Sequence, residues 1–477
     1  MNKTARLFDN KKSSASRANC AEIIPVCNRR IPVRRTDLRE VSVRFDADNL
    51  TAHGGYVLLE SFFRDIDLRR TFARHIRQEK RSNGFTSSEV CSYLIDSKLL
   101  GYRRVYHVEV LRNDPLLEES YGIEGLPSDK TVREYLKRFE EQGNGNLRRC
   151  SQHLVNSQLR GAVRLSRKGG RIGVTLDFDS TGMTVYGKQQ KADRGRSFRK
   201  KDKPGFQPKF AFIGEYDVMV NQRLYPQSYN LGSEFADFEE ETMESLPRYC
   251  YVKGVRSDGA LYSEGRIEEF EKRKWRYGIT AKRTENLRGR MLEIPEDAWV
   301  EGVDEKGRPY SITEIRYRPK TWKCARRYIV SRRLKPDESK QSYLWPGEKY
   351  KYFAYVTNRP GELYEAFKWI MGRCTIENAI KESKIGFDVE ALPCGEFEAN
   401  EAYLTHVQIA YNLSAFFKMN CLPEIARSWT IETIRRRLLL IPGRIERRCG
   451  RLVLHLPRSW AYAEVFKRTK GRWKRAC

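Results

Sequence analysis

Three textures along the chain predict a mixed α/β protein with a strand-built centre and helical flanks. From about 50 to 160, apolar residues recur at helical spacing. Near 171 the pattern changes to short β-rich runs punctuated by Gly, Pro and Asn. Further on, strands and helices alternate, which argues for an α/β domain.

Residues 1–45 are polar and basic and read as a poorly ordered arm able to lie on DNA. Residues 46–165 read as a helical, DNA-binding domain. In "LPSDKTVREYLKRFEE", Ser128 is the expected N-cap, and Val132, Tyr135, Leu136 and Phe139 fall on one face. Arg103, Arg104, Arg112, Lys130, Arg133, Lys137 and Arg138 supply a basic surface that suits phosphate contact, although helix surfaces are commonly basic.

The central region, 166–283, should hold strands in "RIGVTLDFDS", "GMTVYGKQQ", "PKFAFIGEY" and "VMVNQRLYP". A helix in "SEFADFEEETMESLPR" and a strand in "YCYVKGVRSDG" follow. Next come a helix opened by Ser263 and the strand "YGITAKR". Residues 284–350 read as a basic, β-rich insertion. Residues 351–415 return to the core with "KYFAYVTN" and one long helical segment closed by Gly386. Residues 416–477 read as helical and then Arg-rich; a solvated tail is the default there, with phosphate tracking close behind.

The 477 residues carry 90 Lys+Arg against 62 Asp+Glu, a net charge of +28. Such an excess points to a large polyanion, most plausibly nucleic acid, and 25 Tyr and 8 Trp are available to stack on bases. The 11 cysteines form no Cys-x-x-Cys pair and have no zinc-type spacing, which favours reduced thiols in a cytosol. No signal peptide and no apolar run of membrane-spanning length is evident, so a cytoplasmic protein with no membrane partner is expected.

Asp177 and Asp179 are two apart in a strand, so they share one face while Leu176 and Phe178 take the other. Asp258 ends a second strand. On the later helix, Arg373, Glu377 and Lys384 are spaced four and seven apart and fall on one side. Two strand-end aspartates and a helical glutamate are hard oxygen donors suited to Mg²⁺. A pair of such ions can break a phosphodiester, with Arg373 and Lys384 on its non-bridging oxygens. Without a metal, three convergent acids would repel DNA. The plainer alternative is isolated strand-end acids beside a solvated Arg–Glu helix bridge.

These residues resemble the DDE transposases of bacterial insertion sequences. Arg373, Glu377 and Lys384 match three positions of the signature Y-x2-R-x3-E-x6-K, and Ile370 takes the tyrosine position. Asp179-Ser180-Thr181 is similar to the Asp-small-Thr motif of the first acid, which favours Asp179 over Asp177 as ligand. "LDFDSTGMTVYGKQQ", "GFQPKFAFIGE" and "RSDGALYSEGRIEEFEKRKWRYGITAKR" are most similar to the insertion-sequence 1380 group, with Asp258 as second acid.

The resemblance implies an RNase H-like catalytic core interrupted by a β-rich insertion. It implies Mg²⁺ or Mn²⁺, two ions, held by Asp179, Asp258 and Glu377. It implies cut-and-paste transposition on double-stranded DNA: hydrolysis at terminal inverted repeats, then attack of the 3′-hydroxyl on target DNA. Synapsis implies a homodimer or larger assembly, in a bacterial, nucleoid-associated setting. A metal-dependent nuclease without strand transfer and a catalytically silent DNA-binding relative are the alternatives.

Asp177 either supports Asp179 from behind, the preferred reading, or pairs with a basic neighbour; Thr181 is a second expected support. Trp299, Trp322 and Trp345 lie where the related branch can stack a tryptophan on an extruded base. Trp322 is the preferred one because Lys320, Lys323, Arg326 and Arg327 flank it, although a tryptophan in a small β-rich segment is more often core.

Overall fold

The computed structural model describes residues 41–76, 84–164, 170–195, 203–229, 232, 235–304, 307–335 and 349–473. Most of the basic arm, Trp345 and the last four residues lie outside them. The chain divides into two compact units. One gathers residues 1–65, 110–126 and 417–477; the other gathers 66–109 and 127–416.

The second unit is built on a nine-stranded sheet. Its strands are β1 (Ile172–Ser180), β2 (Lys209–Ile213), β3 (Val218–Arg223), β4 (Cys250–Ser257), β5 (Arg276–Thr280), β6 (Val300–Val303), β7 (Pro309–Tyr317), β8 (Arg326–Leu334) and β9 (Tyr350–Thr357). They lie in the order β3-β2-β1-β4-β5-β9-β8-β7-β6. β1 runs parallel to β4, and β4 to β5; every other pairing is antiparallel. The alternation in β1 is real. Phe178 is buried and meets Phe235 edge-on at 4.9 Å, from helix α1 (Phe235–Ser245). The aspartates take the opposite face. Helix α2 (Glu264–Lys272) links β4 to β5, with Ser263 as its N-cap residue.

Residues 284–350 are strand-rich as expected, but they do not stand apart as an insertion. After a helix at Glu285–Leu292, β6, β7 and β8 extend the central sheet outward from β9. Their inward residues are apolar enough to share a core with the next helix, α3 (Leu363–Met371). Tyr310, Ile312 and Ile329 pack with Ala366, Phe367 and Ile370. The run "GMTVYGKQQ" is also corrected: only Met183–Thr184 pairs as strand, with Gly205–Phe206.

The expected long helix at 361–384 is two helices. α3 stops at Met371, and α4 runs from Cys374 to Phe387. α4 passes through Gly386 and ends on Asp388, at φ 52°, so an aspartate takes the left-handed cap position.

The helical stretch 46–165 does not close as one domain. Its helices at Ser87–Leu100, Asp129–Lys137 and Glu141–Arg164 belong to the sheet unit, where their partners come from α5 (Phe397–Asn420). Lys98 donates to the Tyr403 hydroxyl at 2.7 Å, Tyr135 meets His406, and the Asn144 amide donates to Glu398. The helical pattern was sequence-local, whereas the surface it covers lies more than 250 residues later. Ser128 caps its helix by accepting the Thr131 N–H at 3.3 Å. Ser128→Ala should cost about 1 kcal/mol of stability, read as a lower denaturation midpoint with unchanged slope.

The other unit contains a three-stranded sheet that replaces part of the expected C-terminal helix. Gly443–Arg448 and Arg451–His455 form a hairpin, and Leu50–Thr51 pairs with its first strand. The two-residue turn, Cys449-Gly450, has φ of 49° and 74°, both left-handed, which matches the twist of a tight hairpin. Beside it, buried Asp114 accepts from Thr51 Oγ1 at 2.8 Å, pairs with His53 Nδ1 at 2.7 Å, and caps the helix Pro115–Tyr121. Burial alone would raise its pKa; the His53 and Thr51 bonds outweigh that and lower it.

Candidate functional site

β1 and β4 are parallel neighbours, with Asp177 opposite Arg256 and Phe178 opposite Ser257. The next residue along each strand direction brings Asp179 and Asp258 to the same carboxyl edge of the sheet. Asp179 closes β1 and accepts the Ser180 N–H at 2.8 Å. Asp258 follows β4 directly and accepts the Ala260 N–H at 2.9 Å, which turns the chain into a short 3-10 helix.

α4 delivers the third acid. Arg373, at its N-cap, reaches Asp179 at 3.3 Å and Glu377 at 3.5 Å. The guanidinium thus sits between a mostly buried carboxylate and one that is 58% exposed. Burial first, then repulsion from Asp258 and Glu377, push Asp179 up to about 6 against the pull of Arg373. Arg373 thereby bridges the first acid to the third. Lys384, one α4 turn before the helix end, pairs with Glu390 at 2.8 Å.

Asp258 and Lys384 line a cavity of about 760 Å³ together with Ser180, Thr181, Gly182, Gln189, Gln207, Gln227 and Arg104. Gln207 donates to Ser180 Oγ at 3.1 Å, and the Thr181 N–H donates to the Pro208 carbonyl. Thr181 thus stands at the rim of the cavity beside the first acid.

The donors fit a hard divalent ion in type and charge: three carboxylates, of which Arg373 offsets part of the charge through Asp179 and Glu377. Among the described residues, no three acidic, histidine or cysteine side chains converge tightly enough to hold an ion as they stand.

Asp177 has a basic neighbour. It is fully buried, and both its oxygens are taken by Arg256, through Nε and Nη2 at 2.6 Å each. The basic-neighbour alternative is what the structure shows. Arg256 itself was missed. Its signal was available, since Arg256 precedes Asp258 by two residues as Asp177 precedes Asp179.

Several expected DNA contacts are occupied within the protein. Trp322 is 8% exposed, with Tyr262 at 4.9 Å and the Arg326 guanidinium at 5.3 Å, so its faces are covered as a core tryptophan's would be. Arg326 is buried against Glu271 and Glu264. Arg327 binds Glu314 and the carbonyls of Arg359 and Gly361, bracing the sheet. Trp299 is likewise covered, with Arg332 at 4.2 Å. Arg133 donates to the Pro393 carbonyl and pairs with Asp129, and Lys137 pairs with Glu134, both half-exposed. Ile370, at the signature tyrosine position, is a core residue.

The mixed sheet sets two acids level on adjacent parallel strands, and α4 carries a third, bridged to the first by Arg373. The class narrows on comparison with known families: the chain belongs to the family Transposase DDE domain group 1, which matches residues 33–476. It is thus a DDE-type transposase, an enzyme class that acts on DNA and generally uses divalent metal ions. The search of curated proteins returns no match. Among solved structures, the piggyBac transposase synaptic complex with hairpin DNA is similar over 77% of this chain and 80% of that chain. The identity there is 9% and the TM-score 0.32. The Mos1 mariner paired end complex with Mn is similar over 46% of this chain and 70% of that one, at 10% identity and a TM-score of 0.15. Among the described residues, no helix is long and apolar enough to cross a membrane.

Proposed function

We propose that this protein is a cut-and-paste transposase of an insertion sequence, of the 1380 type, with Asp179, Asp258 and Glu377 as its catalytic acids. The observation that carries the reading is the placing of Asp179 and Asp258 at one carboxyl edge of β1 and β4, with Arg373 bridging Asp179 to Glu377. The order β3-β2-β1-β4-β5, with the first two pairings antiparallel and the last two parallel, supports an RNase H-like core.

In this reading Asp179 and Asp258, with Glu377, hold Mg²⁺ or Mn²⁺. Two bound ions would supply an activated attacking oxygen and charge stabilisation at the phosphorus. Arg373 balances Asp179 and Glu377 in the free protein. Its release from them makes a rigid cationic fork available to a non-bridging phosphate oxygen. Lys384, on the same helix, lines the cavity together with Asp258 and suits the adjoining phosphate. Binding of terminal inverted repeats and target DNA draws on the +28 charge, and two ends require a dimer or larger assembly.

A duplex carrying a pre-cut element end with a free 3′-hydroxyl tests the reading. With Mg²⁺ or Mn²⁺, the full chain should join that end to a target duplex. Cleavage of uncut ends with no joined product would assign a nuclease instead.

A further inference from the structure

We propose that Arg256 is a positioning residue: with Asp177 it forms a buried clamp that fixes β1, β4 and the α3–α4 junction, and so the three acids, in one arrangement. The inference rests on the functional reading above and assigns a residue that reading does not use.

Arg256 is 5% exposed, and each of its three guanidinium nitrogens donates to one of two partners. Nε and Nη2 grip Asp177 on β1, while Nη1 donates to the Trp369 carbonyl at 2.7 Å. Each member of the ion pair lies two residues before an acid on its own strand. The pair therefore locks the level of Asp179 against Asp258.

The third bond reaches the glutamate helix. In an unbroken helix the Trp369 carbonyl would accept from residue 373. Here the Arg373 N–H turns back to Ile370 at 3.1 Å, and the Trp369 carbonyl accepts from the Gly372 N–H at 3.2 Å and, from the strand side, from Arg256 Nη1. The break between α3 and α4 is thus tied to β4, and the break sets where Arg373 and Glu377 leave the sheet.

Two glycines make the clamp possible. A Cβ on Gly372 would overlap Arg256 Nη1, and one on Gly214 would overlap both Arg256 Nη2 and Asp177 Oδ2. The guanidinium also lies against the Trp369 ring, 5.6 Å from its centre. Stability alone is a weak account of such a pair, because well-packed apolar replacements of buried ion pairs are often neutral or stabilising. What an apolar pair cannot supply is the fork that holds a strand carboxylate and a helix carbonyl at once.

The test uses the full chain with a duplex carrying the DNA ends that flank its coding region. Arg256→Lys keeps the charge and loses the fork. It should bind the duplex within about twofold of wild type but cut it about 10–100-fold more slowly in single turnover, the range for residues that orient metal ligands. Mn²⁺ affinity, read by electron paramagnetic resonance, should fall by a similar factor. Amide exchange at residues 370–378 should quicken at least about tenfold, with β1 and β4 unchanged. Wild-type cutting, or unchanged exchange at the junction, would overturn the clamp. Should Arg256→Lys not fold, the paired variant Asp177→Leu/Arg256→Met takes its place, and a folded pair with wild-type rate and exchange would overturn it equally. A wild-type chain that cuts no DNA would count against the functional reading, and the exchange result would still decide the clamp.

Discussion

Asn or Gln in place of any one of Asp179, Asp258 and Glu377 is expected to reduce Mg²⁺-dependent DNA cleavage by about 10³-fold or more while DNA binding stays within a few-fold. The amide keeps the size of each side chain and removes its charge. Metal catalysis supplies several kcal/mol of transition-state stabilisation, and each 1.36 kcal/mol is tenfold in rate. The three substitutions should differ in their side effects. Glu377 is 58% exposed and pairs with Arg373, so Glu377→Gln should leave the melting temperature nearly unchanged. Asp179→Asn removes a carboxylate already penalised by burial and by two like charges, so it should be neutral or slightly stabilising in the absence of metal. Asp258→Asn keeps an oxygen for the Ala260 N–H and should fold normally. Single-turnover cleavage, differential scanning and fluorescence anisotropy on the same preparations separate these effects. Retention of full activity by Glu377→Gln would remove the helix glutamate from the site.

Two relations among the acidic residues were legible because they follow rules of period. Side chains alternate along β1, so Asp177 and Asp179 had to share a face, and a spacing of four had to bring Arg373 to Glu377. Both relations are present. The partner of Asp177 was only partly legible: Arg256 stands before Asp258 as Asp177 stands before Asp179, but the bond between them depends on the register of β1 against β4 across 79 residues. The split between α3 and α4 was hidden for a related reason. The apolar pattern continues through Met371 and Gly372, while the turn there is made by backbone bonds from Gly372 and Arg373 and by the tertiary bond from Arg256 to the Trp369 carbonyl. Residues 284–350 were read as separate because they are basic. The charges lie on their edges and are paired in place, Arg326 with Glu271 and Arg327 with Glu314, while the apolar residues between them continue the common core. The Cys449-Gly450 hairpin escaped notice because cysteine is an unusual residue at positive φ.

Acid should destabilise the sheet unit through His406, whose substitution should remove a pH dependence worth about 2 kcal/mol between pH 7 and pH 5. His406 is fully buried on α5. Its Nδ1 faces the Ala402 carbonyl at 2.7 Å, which can only accept, so Nδ1 carries the proton. Nε2 then accepts from the Tyr135 hydroxyl at 3.0 Å. Both nitrogens are satisfied in the neutral ring, and a second proton on Nε2 would displace the tyrosine donor. Burial, with Lys98 nearby, lowers the pKa from 6.5 to about 4 despite the favourable Ala402 bond. Between those values the unfolded chain holds a proton that the folded chain refuses. Stability is therefore fully present above pH 6.5, falls as pH drops toward 4, and levels off below. Asp177, Asp179 and Glu401 act in the opposite sense. Burial raises each to about 6, so their cost is present above that pH and is relieved on acidification. The raw stability profile mixes the two signs, and the comparison of wild type with His406→Gln isolates the histidine. Glutamine can offer an oxygen to Tyr135 but takes up no proton, so the two denaturation free energies should converge by about 2 kcal/mol from pH 7 to pH 5. A constant difference across that window would mean that His406 titrates normally in the folded chain, and that Tyr135 does not hold it neutral.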